Sequence, residues 1–215
     1  LESSGHPKKA LELLQALLKE HGNSRKTPFR TAEIIWDHGT LLQRMGEKLE
    51  ALKYFRNATK RYKRLEHSYN LAGSLFNSAT LLYELGRHGE ALKACYSALT
   101  AGAKAHQDLK ANVALQMANC FETMGDELQC KEFYSEAAQA YRKLGNRRKD
   151  SDICYRLGWM CMKEGKLKES EMLFFQALKL KRELDYGSSS ARYHLNRAEG
   201  YRSVGINAKA ISHYR

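Results

Sequence analysis

A chain of 215 residues with 43% apolar residues and two prolines is long enough to bury a continuous core, and no stretch has the polar composition of a disordered segment. No apolar run of about 18 residues occurs, which excludes a membrane-spanning helix, and the opening LESSGHPKKA lacks the apolar centre of a signal peptide. A formal charge of +12 admits nucleic acid, acidic protein segments and anionic membrane surfaces as partners without selecting one.

The first predicted element is a helix over Pro7 to Glu20, PKKALELLQALLKE, in which Leu11, Leu14 and Leu18 recur at helical spacing. It follows Gly5, which stands 41 residues before Gly46, and Gly46 opens a ladder with Gly86, Gly125, Gly165 and Gly205 at intervals of 40, 39, 40 and 40 residues. An interval this regular marks a unit copied in tandem. Each copy is predicted to run one helix up to its glycine, reverse there, and run a second helix away. Glycine suits the reversal because a helix commonly stops through a left-handed residue, which glycine adopts without a Cβ clash. The predicted pairs are 29–45 with 48–66, 68–85 with 88–102, 105–124 with 127–144, 147–164 with 167–185, and 188–204 with 207 onward. Pro7 to Glu20 then belongs to a half repeat over 1–24, and the polar stretch His21 to Pro28 separates it from the first full repeat. Full repeats are expected at about 29–67, 68–104, 105–146 and 147–187 and a truncated one at 188–215, all in a single solenoid over 1–215. Without an initiator methionine, and ending inside a hairpin, the chain is expected to be a fragment of a longer protein.

The ladder serves as a coordinate system. Seven residues before each glycine stand Gly39, Ala79, Ala118, Gly158 and Ala198, and five after it Ala51, Ala91, Cys130, Ser170 and Ala210. Both columns are small throughout. Nine after come Phe55, Cys95, Tyr134, Phe174 and Tyr214, and twelve after come Ala58, Ala98, Ala137 and Ala177. Small residues let helix axes approach and larger ones fill the space beside them, so the spacing encodes helix-on-helix packing.

These columns, with Leu42, Leu82, Phe121, Cys161 and Tyr201 four before each glycine, resemble the tetratricopeptide repeat over essentially the whole chain. The usual repeat of that family has 34 residues and often ends in proline; here the period is 40 and no repeat ends in proline. That resembles the longer repeats of kinesin light chains and of the adaptors named for their Leu-Gly-Asn signature, although Arg156-Leu157-Gly158-Trp159 puts tryptophan where asparagine would stand. The resemblance implies an all-α, right-handed superhelical solenoid of antiparallel helix hairpins whose first helices line a concave groove.

Residues facing such a groove are expected ten, six and three before each glycine: Trp36, Phe76, Leu115, Tyr155 and Leu195; Thr40, Thr80, Asn119, Trp159 and Glu199; Gln43, Tyr83, Glu122, Met162 and Arg202. Aromatic and aliphatic residues recurring there suit an extended peptide or an amphipathic helix. Trp36, Phe76 and Tyr155 could instead pack against the preceding repeat, since superhelical twist is not visible in the sequence. Family modules that hold the acidic C-terminus of chaperones use a lysine, asparagine and arginine constellation in the groove; here the matching places hold Trp36, Thr40, Thr80, Tyr155 and Trp159, so that role is not expected.

Basic residues gather near the ends of the second helices at Lys60, Arg61, Lys63 and Arg64, then at Arg142, Lys143, Arg147, Arg148 and Lys149, and at Lys179, Lys181 and Arg182. They read either as an electrostatic edge for nucleic acid or an acidic partner, or as cations favoured at helix C-termini by the backbone dipole. Apart from Tyr62, no aromatic residue interleaves with them to stack bases. Five cysteines, an odd number with no CxxC pair, favour a reducing compartment and hence a cytoplasmic location. Cys154 and Cys161 fall in apolar columns, so they are read as core rather than as metal ligands, and no metal or cofactor is expected. His38 and His194 fall in core columns as well. No P-loop, dinucleotide glycine pattern, HExxH or GxSxG occurs, so no catalysis is expected. The reading is a protein-interaction module, adaptor or scaffold, that takes a partner's peptide or amphipathic helix at Trp36, Thr40, Phe76, Tyr83, Asn119, Tyr155, Trp159, Met162 and Arg202. The alternative is a nucleic-acid-associated or effector-sensing regulatory module using Lys60, Arg61, Lys63, Arg64, Arg147, Arg148 and Lys149.

Overall fold

The computed structural model describes residues 7–21, 27–102 and 106–182, together with Arg202. Among these, all regular structure is helical: α1 (Pro7–His21), α2 (Pro28–Arg44), α3 (Lys48–Arg64), α4 (Ser68–Glu84), α5 (His88–Ala101), α6 (Gln107–Met124), α7 (Glu127–Lys143), α8 (Arg147–Lys163) and α9 (Leu167–Arg182). The architecture is an all-α helical-repeat solenoid. The helices expected over 188–204 and from 207 onward lie outside the described residues, Arg202 excepted.

The period has a simple origin. Helices α2, α3 and α4 are each 17 residues long and the turns after them three, so two helices and two turns fill the 40-residue repeat. At Gly46 (φ 85°) the Gly46 N–H donates to Gln43 O at 3.0 Å and the Glu47 N–H to Leu42 O at 2.9 Å. This paired closure satisfies two of the carbonyls that a helix end leaves open. The same pair of bonds closes the turn between hairpins, where Glu66 N donates to Lys63 O at 3.3 Å and His67 N to Tyr62 O at 3.1 Å. There the left-handed residue is Glu66 itself, at φ 54°. A second set of reversals thus alternates with the glycine ladder, at the boundaries expected between repeats, and at α3–α4 it does without glycine.

The chain forms two compact units, Leu1–Met124 and Gly125–Arg215. In the first, each helix packs on the next from α1 to α6, and α4 also touches α6 directly. Its core takes in the expected columns: Ala51, Phe55, Ala58, Ala79, Ala91, Cys95 and Ala98 are all fully buried. Tyr62 and Ile35 join Ala32 and Ala58 in one cluster, capped by the half-buried Phe29, Trp36 and Leu71.

In the second unit α8 packs on both α7 and α9. At Gly158 α8 and α9 approach closely: a Cβ placed there would stand 2.8 Å from Cε1 of Phe174. Two polar joints hold the register. Arg142 donates through Nε and Nη2 to the two Asp150 oxygens at 3.1 and 3.0 Å, with Asp150 2% exposed, and Ser151 Oγ donates to Ala177 O at 2.8 Å. A carboxylate this buried is tolerated only because the bidentate guanidinium compensates it. No helix among the described residues is long and apolar enough to cross a membrane.

Candidate functional site

In the first unit the three columns expected to face a groove lie on α2, α4 and α6. Trp36, Thr40 and Gln43 on α2, Phe76, Thr80 and Tyr83 on α4, and Leu115 and Asn119 on α6 are half-buried, and Glu122 is exposed. Position within the helix explains this shared state. Residues at ten, six and three before the glycine follow one stripe, next to but not on the stripe that carries the buried Gly39 and Leu42, or Ala79 and Leu82. α4 touches α6 directly, so two of the helices that carry these columns are neighbours.

The polar groups in the columns are already partly used. Thr40 Oγ1 donates to Trp36 O at 3.1 Å and Thr80 Oγ1 to Phe76 O at 3.2 Å. With their protons committed to the helix backbone, both threonines offer a ligand a methyl group and an acceptor oxygen. Trp36 lies 6.3 Å from the Phe55 ring and packs on the Ala32–Tyr62 cluster, so its inner edge belongs to the core while the rest remains accessible. Tyr83 lies 5.2 Å from the His88 ring.

In the second unit Tyr155 and Trp159 are half-buried and form an aromatic group with the core residue Phe174, at centroid distances of 5.4 Å and 6.2 Å. Met162 departs from expectation. It is 1% exposed and enclosed with Phe174 and Leu178, so it is a core residue and not part of a partner-facing column. Its flexible thioether fills the space where α9 closes on α8. Arg202 is exposed, and its sequence neighbours lie outside the described residues.

The basic residues divide by local cause. Arg61, Lys63 and Arg64 occupy the last turn of α3, with Lys60 just before it, where the negative end of the helix dipole favours cations. Arg147, Arg148 and Lys149 instead fill the first turn of α8, a first helix, where the dipole disfavours them. All three are exposed; the turn is capped by Asn146, which accepts from Lys149 N at 3.2 Å, while the buried Asp150 in the same turn is paired with Arg142.

The cysteines are core residues. All five are free and buried, and burial pushes the Cys154 thiol up to about 12 and raises Cys95, Cys120 and Cys161 above their usual range. Thiols held protonated in this way are poor nucleophiles. His38 is 1% exposed, stacked 4.2 Å from the Tyr54 ring, and its Nδ1 has no hydrogen-bond partner.

One feature lies off the first helices and so outside the columns expected to meet a partner: Met172 and Phe175 on α9 are 73% and 64% exposed. The positions seven and ten after each glycine carry its signal in the sequence, since Met172 and Phe175 break an otherwise mostly polar series there.

Two family models, both described as Tetratricopeptide repeat, match residues 37–106 and 151–184. Among solved structures the chain is similar to BtubC (BKLC) from P. vanneervenii, with TM-score 0.75 and 19% identity over 96% of this chain and 85% of that one. It is similar to a putative kinesin light chain of Podosopora anserina with nearly identical TPR-like repeats, with TM-score 0.69 and 16% identity over 86% of this chain and 92% of that one. A Rap protein complexed with Competence and Sporulation Factor matches with TM-score 0.68 and 14% identity over 99% of this chain and 70% of that one. No curated protein sequence matches the chain.

Proposed function

We propose, from the premise that this chain belongs to the tetratricopeptide-repeat family and is a protein-interaction module, that the first helices of its repeats take an extended peptide or amphipathic helix from a partner protein. The observation that carries this is the recurrence of Trp36, Phe76 and Leu115 at one register of α2, α4 and α6, each half-buried where a core residue would be enclosed. Large side chains already held on one edge lose little conformational freedom when a ligand covers the other. Thr40, Thr80, Tyr83 and Asn119 supply polar contacts beside them, and Tyr155 and Trp159 extend the same columns in sequence. A similar fold, the Rap protein, is recorded in complex with a separate molecule, which is the kind of task proposed here. The 40-residue period is read as the longer repeat type, and the five free cysteines support a cytoplasmic location.

The test is selection of binding peptides from a displayed random library on the wild-type chain, followed by titration against a Phe76→Ala, Tyr83→Ala double variant. Loss of affinity by tenfold or more, with helical circular dichroism unchanged, is expected. Equal affinity of the selected peptides for the double variant sinks the groove reading.

A second reading rests on a separate observation, the three cations in the first turn of α8. There the dipole explanation that serves α3 does not apply, and the positive helix end adds to Arg147, Arg148 and Lys149 in attracting an anionic partner. Under it, single-stranded DNA or RNA oligonucleotides bind with a steep salt dependence that reversal of the three charges removes.

A further inference from the structure

The repeats supply their own control for what a second helix should present to solvent. Seven, ten and fourteen residues after the turn glycine stand Lys53, Arg56 and Lys60 on α3, Lys93, Tyr96 and Thr100 on α5, Glu132, Ser135 and Gln139 on α7, and Met172, Phe175 and Lys179 on α9. On α3 and α5 all six are exposed although a further helix packs on each, α4 on α3 and α6 on α5, and on α7, with α8 packed on it, Glu132 and Gln139 are exposed and Ser135 is half-buried. The register therefore points away from both neighbours in the stack. Only α9 fills its first two places with a methionine and a phenylalanine, at 73% and 64% exposure.

Charge surrounds this apolar pair. Lys168 stands four residues before Met172 and Lys179 four after Phe175, so the four side chains follow one stripe of α9. Both lysines are exposed, and neither has an acidic partner among the described residues. The nearby charges are engaged elsewhere: Glu169 accepts from Cys161 Sγ at 3.7 Å, and Lys181 pairs with Asp152 at 3.5 Å. From Lys168 to Lys179 the stripe runs about 16 Å at the rise of an α-helix.

We infer that this face of α9 is a second docking surface, separate from the first-helix columns, for an acidic amphipathic helix of a partner protein. Such a helix covers Met172 and Phe175 with its own apolar stripe and sets carboxylates about 16 Å apart against Lys168 and Lys179. Met172 adapts to the shape of that stripe and Phe175 anchors it. A second copy of this chain is a poor occupant, because each copy carries +12.

The experiment uses the full chain and a fluorescently labelled alanine-based helical peptide in which two glutamates eleven residues apart flank a leucine pair. Fluorescence anisotropy is expected to show saturable binding. Met172→Glu with Phe175→Glu reduces the affinity at least tenfold, Lys168→Glu with Lys179→Glu reduces it in a salt-dependent manner, and Phe76→Ala with Tyr83→Ala leaves it unchanged. All substituted side chains on α9 are exposed, so circular dichroism should stay native. Failure of the wild-type chain to bind the peptide, or equal binding by the Met172 and Phe175 variant, overturns the inference. So does preferential, Phe175-dependent binding to phosphatidylserine vesicles, which makes the face a membrane contact. Dimerisation in sedimentation equilibrium that Phe175→Glu abolishes overturns it in favour of a second copy. Loss of binding in the Phe76 and Tyr83 variant assigns the peptide to the groove instead.

Discussion

Gly158 stands closely against the Phe174 ring, and the fit decides the sign of a substitution that helix propensity alone would misjudge. Alanine is ordinarily better than glycine inside a helix by about 0.5–1 kcal/mol. At Gly158 its Cβ would meet Phe174 at 2.8 and 2.9 Å, and Phe174, 1% exposed between the Tyr155 and Trp159 rings, has nowhere to retreat. Overpacking of this kind costs about 1–3 kcal/mol, so Gly158→Ala is expected to destabilise by about 1 kcal/mol net in chemical denaturation. Adding Phe174→Leu should recover part of the loss, a non-additivity that a double-mutant cycle measures. The corresponding contact at Gly39 is looser, 3.0 Å to Phe55, and its alanine variant should cost less. At Ala79 in the same column the facing position holds the smaller Cys95, which is how one copy accommodates alanine.

His38 is a residue-scale liability of the opposite kind. Burial lowers its pKa from the ordinary 6.5, so the folded chain keeps the imidazole neutral while the unfolded chain protonates it. The stability this supplies is present above about pH 6.5 and is lost as pH falls below it towards the folded-state value, by at most about 1.4 kcal/mol per pH unit. The expected result is that the stability advantage of the wild type over His38→Gln shrinks as pH is lowered through the range below about 6.5. An unchanged difference across that range shows that His38 does not titrate differently on folding.

At the scale of the element, the turns matter more than the helices they join. Four of the reversals use glycine at φ between 74° and 85°, whereas the turn from α3 to α4 uses Glu66 at φ 54°. A side chain in the left-handed region costs about 1–2 kcal/mol, offset in part by the greater unfolded-state freedom of glycine. Glu66→Gly is accordingly expected to raise stability by about 0.5 kcal/mol, read as a higher denaturation midpoint with an unchanged slope. The turns at Gly46, Gly86 and Gly165 close with the same two backbone bonds as the turn at Glu66, so the substitution leaves the α3–α4 geometry in place. The α7–α8 joint shows the complementary solution, with Gly145 at φ 68° and the Arg142–Asp150 pair bracing the same bend from the side.

At the scale of the molecule, stability in a stack is expected to be local. Within each unit the packing is almost wholly between consecutive helices, so a defect is felt by its neighbours first. Gly158→Ala should therefore speed amide hydrogen exchange in α8 and α9 and leave α2 to α5 unchanged. Uniform acceleration across both units would show a single cooperative transition instead.

The amino-acid sequence by itself determined the helices, the glycine turns and the buried columns, because these depend on residues close along the chain. A stripe at helical period, a residue free to take positive φ and a run of small side chains are all local properties. Gly39, Phe55, Ala58 and their counterparts were legible for that reason. The half-buried columns of the first helices were legible as a register, although the sequence left open how far each side chain is covered. Only the tertiary structure decided that Met162 is enclosed by Phe174 and Leu178 while Trp159, three residues earlier, stays half-open, and that the chain condenses into two units. Those outcomes depend on which side chains another helix brings within van der Waals reach, and no spacing within one helix contains that information.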